Sequence, residues 1–193
     1  MKNIRHFSID NETLDTVATA HLLSIGIACE YDGKTHSMIV YPDWFEQESL
    51  ERTKSQDTLD WWQKQDPALK GATFRAAQDS AMLASTCITK INQFIIEHSK
   101  DADEIRVWGN GSEFDIAQIE HLSSQTGVKP VWSYYLASSQ RTIQDIAQLM
   151  GIEYNKGSFF DGQAHDAEAD ARAQVRLINH LWGKIHDKAF LSL

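Results

Sequence analysis

Ile4-Arg5-His6-Phe7-Ser8-Ile9-Asp10-Asn11-Glu12 decides the fold, because it reads as a short apolar strand that runs straight into acids. Ile4, Phe7 and Ile9 give the strand a buried character. Asp10 and Glu12 stand two apart at its end, so the period-two geometry of a strand puts both carboxylates on one face. Carboxylates held that close repel each other unless a proton or a cation lies between them. A turn with incidental acids explains the pair as well, since Asp-x-Glu is common by chance.

Two more strands follow. Residues 21–31 are apolar and partly alternating at Leu23, Ile25, Ile27 and Cys29, and residues 35–41 come after Asp32-Gly33, a hairpin signal. An antiparallel three-strand meander is expected. Residues 42–78 are the least regular and read as an insertion over the sheet, with one short helix at 58–64 ended by Asp66-Pro67. A single long helix is expected over 79–98, with Met82, Leu83, Ile88, Ile91, Phe94 and Ile95 on one side. Further along come a strand at 105–108, a helix at 114–126 closed by Gly127, and a strand at 131–135. A helix at 142–150 stopped by Gly151 and a last long helix at 167–185 complete the pattern. That last helix would bury Ala171, Val175, Ile178, Leu181, Trp182 and Ile185. The order predicts an α/β fold, with a mixed sheet of antiparallel meander plus parallel crossover strands, flanked by helices, as one domain over residues 1–193.

Composition narrows the function. A chain of 193 residues can bury a sizeable core, and no stretch is long enough to span a membrane. No apolar leader precedes Ile4, which predicts cytoplasmic residence. Cys29 and Cys87 lack metal-ligand spacing and read as reduced, buried thiols. A net charge of −9 argues against a protein that coats long nucleic acid by neutralising phosphates. An enzyme gripping only a chain end can be acidic, because bound divalent ions supply local positive charge. His6, His21, His36, His98, His121, His180 and His186 show no ligand spacing and read as ordinary histidines.

Asp115 follows the 105–108 strand and the Gly109-Asn110-Gly111 turn, at the start of a helix where an acid is favourable as a cap alone. The two glycines would let another backbone approach closely. His165 and Asp170 bracket the start of the last helix, where Asp166 is a natural N-cap. Capping leaves the histidine unexplained, and Ala164, Ala167, Ala169 and Ala171 would let this helix pack tightly on a sheet. The combination is more specific than its parts: four oxygen ligands from three element ends, with no cysteine among them, suit Mg²⁺ or Mn²⁺ better than zinc. Two such ions would serve phosphoryl transfer.

Asp10-Asn11-Glu12-Thr13, Asn110-Gly111-Ser112-Glu113-Phe114-Asp115 and His165-Asp166-Ala167-Glu168-Ala169-Asp170-Ala171 resemble the three motifs of the DEDDh 3′–5′ exonuclease superfamily. The chain is most similar to the ribonuclease T-like branch, which holds phage-type exonuclease A and an actinobacterial exoribonuclease. Phe7 through Leu14, Leu23-Ser24-Ile25-Gly26, Thr58-Leu59-Asp60-Trp61-Trp62, Gln140-Arg141-Thr142 and Gly162-Gln163-Ala164-His165 carry that similarity across nearly the whole chain. Members often have an Asp just before the Arg-Thr pair, where this chain has Ser139-Gln140, which weakens a substrate role for Arg141. A sister subclass places a tyrosine four residues before the last Asp; Asp166 stands there, so the histidine subclass is indicated.

The resemblance implies a ribonuclease H-like fold and two ions, Mg²⁺ or Mn²⁺, held by Asp10, Glu12, Asp115 and Asp170. His165 would be the general base, a role suited to a side-chain type that ordinarily titrates near neutrality. Thr13 and Leu14 would contact the terminal nucleotide, with Asn110, Phe114, Trp61 and Arg141 completing the expected substrate contacts. Trp61, Trp62, Phe159 and Phe160 are candidates for base stacking and equally for core packing. The substrate would be the 3′ end of single-stranded RNA or DNA, RNA favoured, and the products nucleoside 5′-monophosphates. Relatives pair, which implies a homodimer. Three alternatives stay open: a single-stranded DNA exonuclease, a catalytically silent ribonuclease H-like binding module, and a small-molecule metallophosphoesterase.

Overall fold

β1 (Ile4–Thr13), β2 (Leu22–Tyr31) and β3 (Lys34–Pro42) form the expected meander in a computed structural model that describes residues 2–190. Residue 1 and residues 191–193, the ends of the expected domain span, lie outside the described residues. Asp32 and Gly33 both take positive φ in the β2–β3 turn. β1 runs on past Asp10, so both acids belong to the strand itself, and a register shift falls between Glu12 and Thr13. Two short strands, β4 (Ala81–Met82) and β6 (Ala137–Ser139), and the longer β5 (Glu104–Gly109) complete a six-stranded sheet in the order β4-β3-β2-β1-β5-β6. β1 is central, antiparallel to β2 and parallel to β5.

Among the described residues seven α-helices accompany the sheet: α1 (Trp44–Ser49), α2 (Gln56–Lys64), α3 (Pro67–Asp79), α4 (Ala84–His98), α5 (Ala117–Thr126), α6 (Gln140–Leu149) and α7 (Ala167–Phe190). The main core sets Phe7, Ile9, Ile25 and Ile27 against Cys87, Ile88, Ile91, Phe94 and Ile95 of α4 and Ile119 and Leu122 of α5. Across the sheet, α7 packs Ala171 and Val175 on Ala28, and Leu177, Ile178 and Leu181 on Trp108 and α6. Gly26 makes that approach possible: a Cβ there would lie 2.0 Å from the Ala167 carbonyl oxygen. The fold is thus the α/β arrangement expected.

Several boundaries differ. The 42–78 segment is helical rather than irregular, with Asp43, Ser55 and Asp66 each accepting a backbone N–H at the start of its helix. Asp66-Pro67 opens α3 as well as following α2, because proline at the first helical position gives up an N–H that would be unsatisfied anyway. The helix expected over 79–98 begins only at Ala84: Asp79 is the last residue of α3, and Ala81 and Met82 form β4. Pairing of Ala81 and Met82 with Tyr41 and Pro42 of β3 overrides a continuous helical pattern, and Leu83 becomes the exposed first cap of α4. The strand expected at 131–135 is displaced to β6: Trp132 turns into the core while Tyr134 is 82% exposed in a 3-10 turn. Trp182 is only half-covered, lying against His6 and Trp108. Cys29 and Cys87 are free and buried, and burial pushes both thiols up to about 12. No helix among the described residues is long and apolar enough to cross a membrane.

Candidate active site

Alternation along β1 divides its side chains. Phe7 and Ile9 enter the main core, and Asn11, on the same side, reaches Asp115 and Gln118. Ser8, Asp10 and Glu12 face α7. At the carboxyl end of the neighbouring β5, the chain leaves through Gly109-Asn110-Gly111 into a π-helical turn, Ser112–Ile116, which precedes α5. Such turns widen the helical ladder by one residue and recur at functional sites. Here the turn seats Asp115 against β1, 2% exposed. One oxygen of Asp115 accepts the Asn110 N–H at 2.9 Å, the other the Asn11 N–H at 3.3 Å. A Cβ on Gly109 would fall 2.9 Å from the Asp115 carboxylate, so only glycine leaves room for it there.

The first turn of α7 brings the remaining groups. Asp166 caps it by accepting the Ala169 N–H, and Asp170 accepts the His165 N–H at 2.9 Å. His165 itself has φ +64, a left-handed conformation unusual for a residue with a Cβ. Strain of this kind persists where surrounding contacts over-determine the backbone, and the Asp170 bond is one such contact. Ligand atoms of Glu12, His165 and Asp170 lie within 4.8 Å of one another. They share a cleft of about 830 Å³ with Asp10, Thr13, Asn110, Phe114, Trp61 and Phe160.

The electrostatics of this cluster are unbalanced. Burial, then Asp115, Glu12 and Asp170, push Asp10 well above the usual carboxylate range. Glu12 is raised to about 8 by burial and then by Asp170, Asp166 and Asp115. Asp115 rises to about 7 through burial, despite its backbone bonds, and Asp170 is also raised, chiefly by burial. None of the ion pairs among the described residues reaches any of the four. Buried carboxylates without a cationic partner are costly, and a hard divalent cation relieves that cost with the oxygen donors it prefers. The donor set therefore fits Mg²⁺ or Mn²⁺.

Not every expected contact is in the cleft. Leu14 is 0% exposed and packs with Leu23, Trp62 and Ala77 in a satellite core, so it offers a nucleotide no side chain. Arg141 lies outside the lining, 3.9 Å from Glu113. Of the adjacent tryptophans, Trp62 is buried with its N–H on the Thr13 carbonyl, whereas Trp61 faces the cleft with its ring edge-on to His165 at 4.9 Å. Phe159 packs beside Leu177 and Ile178, leaving Phe160 in the lining.

Sequence reasoning gave no site role to Thr16, Asp57, Thr58, Gln140, Lys156 or Gln174, all of which line the cleft. Gln174 had a legible signal, since it follows Asp170 by four residues on one helical face. Gln140 stood out only within the Gln140-Arg141-Thr142 similarity. It is fully buried, and neither polar atom of its amide has a hydrogen-bond partner.

The model of the 3′–5′ exoribonuclease Rv2179c-like domain matches residues 5–182. Comparison with curated protein sequences returned no match. Among solved structures, the chain is similar to cell-death related nuclease 4 (CRN-4), with a TM-score of 0.62 and 13% identity over 95% of this chain and 66% of that one. It thus spans just under two thirds of that protein's length. It is also similar to the nuclease domain of 3′hExo, described as a DEDDh family member bound to rAMP, with a TM-score of 0.59 and 12% identity. That alignment covers 94% of this chain and 93% of the other. At such identities the likeness is one of fold, the α/β fold of DEDDh exonucleases.

Proposed function

Because the chain belongs to the 3′–5′ exoribonuclease Rv2179c-like family, we propose that it is a two-metal-ion 3′–5′ exonuclease on single-stranded nucleic acid, RNA favoured, releasing nucleoside 5′-monophosphates. One observation carries this reading: four carboxylates from β1, the turn after β5 and α7, Glu12 and Asp115 buried and Asp10 and Asp170 half-buried, are gathered near His165 with no ion pair to a cation among the described residues. Asp10, Glu12 and Asp170 would hold one ion, and Asp10 with Asp115 a second. When bound, the ions lower the pKa of the attacking water and offset charge on the attacking and leaving oxygens. His165 takes the water's proton as the oxygen attacks phosphorus and the bond from phosphorus to the 3′ oxygen breaks. Its backbone bond to Asp170 anchors the main chain from which the imidazole projects. Thr13, Asn110, Phe114, Phe160 and Trp61 line the cleft and would align the terminal nucleotide, Trp61 offering an aromatic surface for a base.

The preference for RNA rests on the family's description as an exoribonuclease and is supported by rAMP in the 3′hExo structure. A single-stranded DNA exonuclease is the second reading, since the same carboxylates serve either sugar. A time course on 5′-labelled RNA and DNA of equal sequence, with Mg²⁺, Mn²⁺ or EDTA, tests both. We expect a 3′-shortening ladder that EDTA abolishes and that Asp10→Ala and His165→Ala lack. Full activity in Asp10→Ala, or products formed in EDTA, would overturn the proposal, and the ratio of RNA to DNA rates decides between the sugars.

A further inference from the structure

The carboxylates of the cluster are not steadied alike. Backbone N–H groups hold Asp115 and Asp170, and Glu12 accepts no hydrogen bond among the described residues. Asp10 alone is held by a side chain: the Gln174 amide donates to its Oδ1 at 2.6 Å. An ionised carboxylate can only accept, so the NH₂ end of that amide must face Asp10. Its oxygen then points away, and there it accepts the Ser8 hydroxyl at 2.8 Å. Ser8 is fully buried and Gln174 nearly so, which removes water as a competing partner. The pairing follows from two simple periods: Ser8 and Asp10 share one face of β1, and Asp170 and Gln174 share one face of α7.

We propose that Gln174 is a positioning residue for the divalent-cation site, its amide oriented by Ser8 and holding Asp10 in the conformer that ligates. Asp10 sits among three other carboxylates and would swing away from them if unrestrained. The bond to Gln174 occupies one side of Oδ1 and leaves Oδ2 without a protein partner among the described residues. A donor to an anionic ligand is a charge-assisted bond, stronger than one between neutral groups. Gln174 has this role only if Asp10 holds metal, as the exonuclease reading requires.

The test uses the full chain as wild type, Gln174→Met, Ser8→Ala and the double variant. Mn²⁺ affinity is measured by titration calorimetry or electron paramagnetic resonance, and nuclease rates are followed against Mg²⁺ concentration. Thermal melts in EDTA establish that each variant folds. Gln174→Met keeps the side chain's length and removes the donor, so the Mn²⁺ Kd should rise about 10–100-fold, the usual penalty for losing the partner of a ligand. The Mg²⁺ concentration for half-maximal rate should rise in parallel, with the rate recovering at saturating Mg²⁺. Ser8→Ala should give a smaller rise in the same direction. Added to Gln174→Met it should give none, because Ser8 acts only through the amide.

Unchanged Mn²⁺ affinity in Gln174→Met overturns the proposal, as does a double variant whose two effects simply add. A wild type that binds Mn²⁺ in a Gln174-dependent manner but degrades neither RNA nor DNA would sink the exonuclease reading and leave Gln174 its role. An active nuclease whose metal affinity ignores Gln174 would do the reverse.

Discussion

The two faces of β1 do opposite things to the stability of the same ten residues. On one face Phe7 and Ile9 are completely buried, with Phe7 edge-on to Phe94 at 6.3 Å between ring centres. Burying side chains of that size contributes about 1.5–3 kcal/mol each. On the other face Ser8, Asp10 and Glu12 are covered by α7, and the two acids are pushed upward by burial and then by neighbouring carboxylates, Asp115 foremost for Asp10 and Asp170 for Glu12. The comparison teaches that the apolar face holds in place a polar face that would not assemble alone. Sites built this way trade stability for function, and removing their functional groups often stabilises the fold.

Breaking the apolar face should have the largest effect. Phe7→Ala should lose about 3–5 kcal/mol of folding stability in urea unfolding, a large share of what a domain commonly has. On the polar side, His165→Ala should leave the melting temperature almost unchanged while lowering kcat about 10²–10⁴-fold, the usual contribution of a general base. Equal losses in kcat and stability would argue that His165 only supports the fold. The sharpest contrast is Glu12→Gln. In EDTA near pH 8 it should stabilise the protein by about 2 kcal/mol, because a buried carboxyl that burial, Asp170, Asp166 and Asp115 raise to about 8 is gone. The gain in melting temperature that Mg²⁺ confers on the wild type should shrink in the same variant. A destabilised Glu12→Gln would show that the cluster is not under electrostatic strain.

The smallest effect concerns His21, which burial, and then Lys54, holds down to about 4. Neither ring nitrogen has a hydrogen-bond partner among the described residues, and the ring lies tilted against Trp44, 4.2 Å between centroids. A histidine depressed on folding contributes stability that is complete above its unfolded value of about 6.5 and is lost as pH falls towards the folded value. His21→Phe should therefore gain about 1–2 kcal/mol on the wild type between pH 7 and pH 5. Reading the difference between the two proteins cancels the acids of the cluster, whose shifts have the opposite sign. A constant difference across that range would show that His21 does not titrate between the two states.

Legibility followed how local the cause was. Gly127 and Gly151, at φ +73 and +63, close α5 and α6 where the sequence places them, since a left-handed end favours glycine. The break between α3 and α4 had no such marker. It exists because two residues pair with β3, a partner about forty positions away in the chain. Trp61 and Trp62 show the same limit at the site. Adjacent helical residues point about 100° apart, so one of them had to leave the core. Which one depends on the Trp62 N–H finding the Thr13 carbonyl.

By itself, the sequence determined the meander, the long helices, the glycine-marked stops, and the acids and histidine at three element ends. Those follow from periodicity, turn chemistry and charge, which act within a few residues. The tertiary structure alone decided that Asp10, Asp115 and Asp170 meet, because that depends on β1 lying beside β5 and under α7. It also decided that Leu14 is core, that Arg141 stands outside the cleft, and that Gln174, itself held by Ser8, reaches Asp10. Burial and hydrogen-bond partnership are properties of what packs opposite, and for these side chains the opposite surface comes from a distant part of the chain.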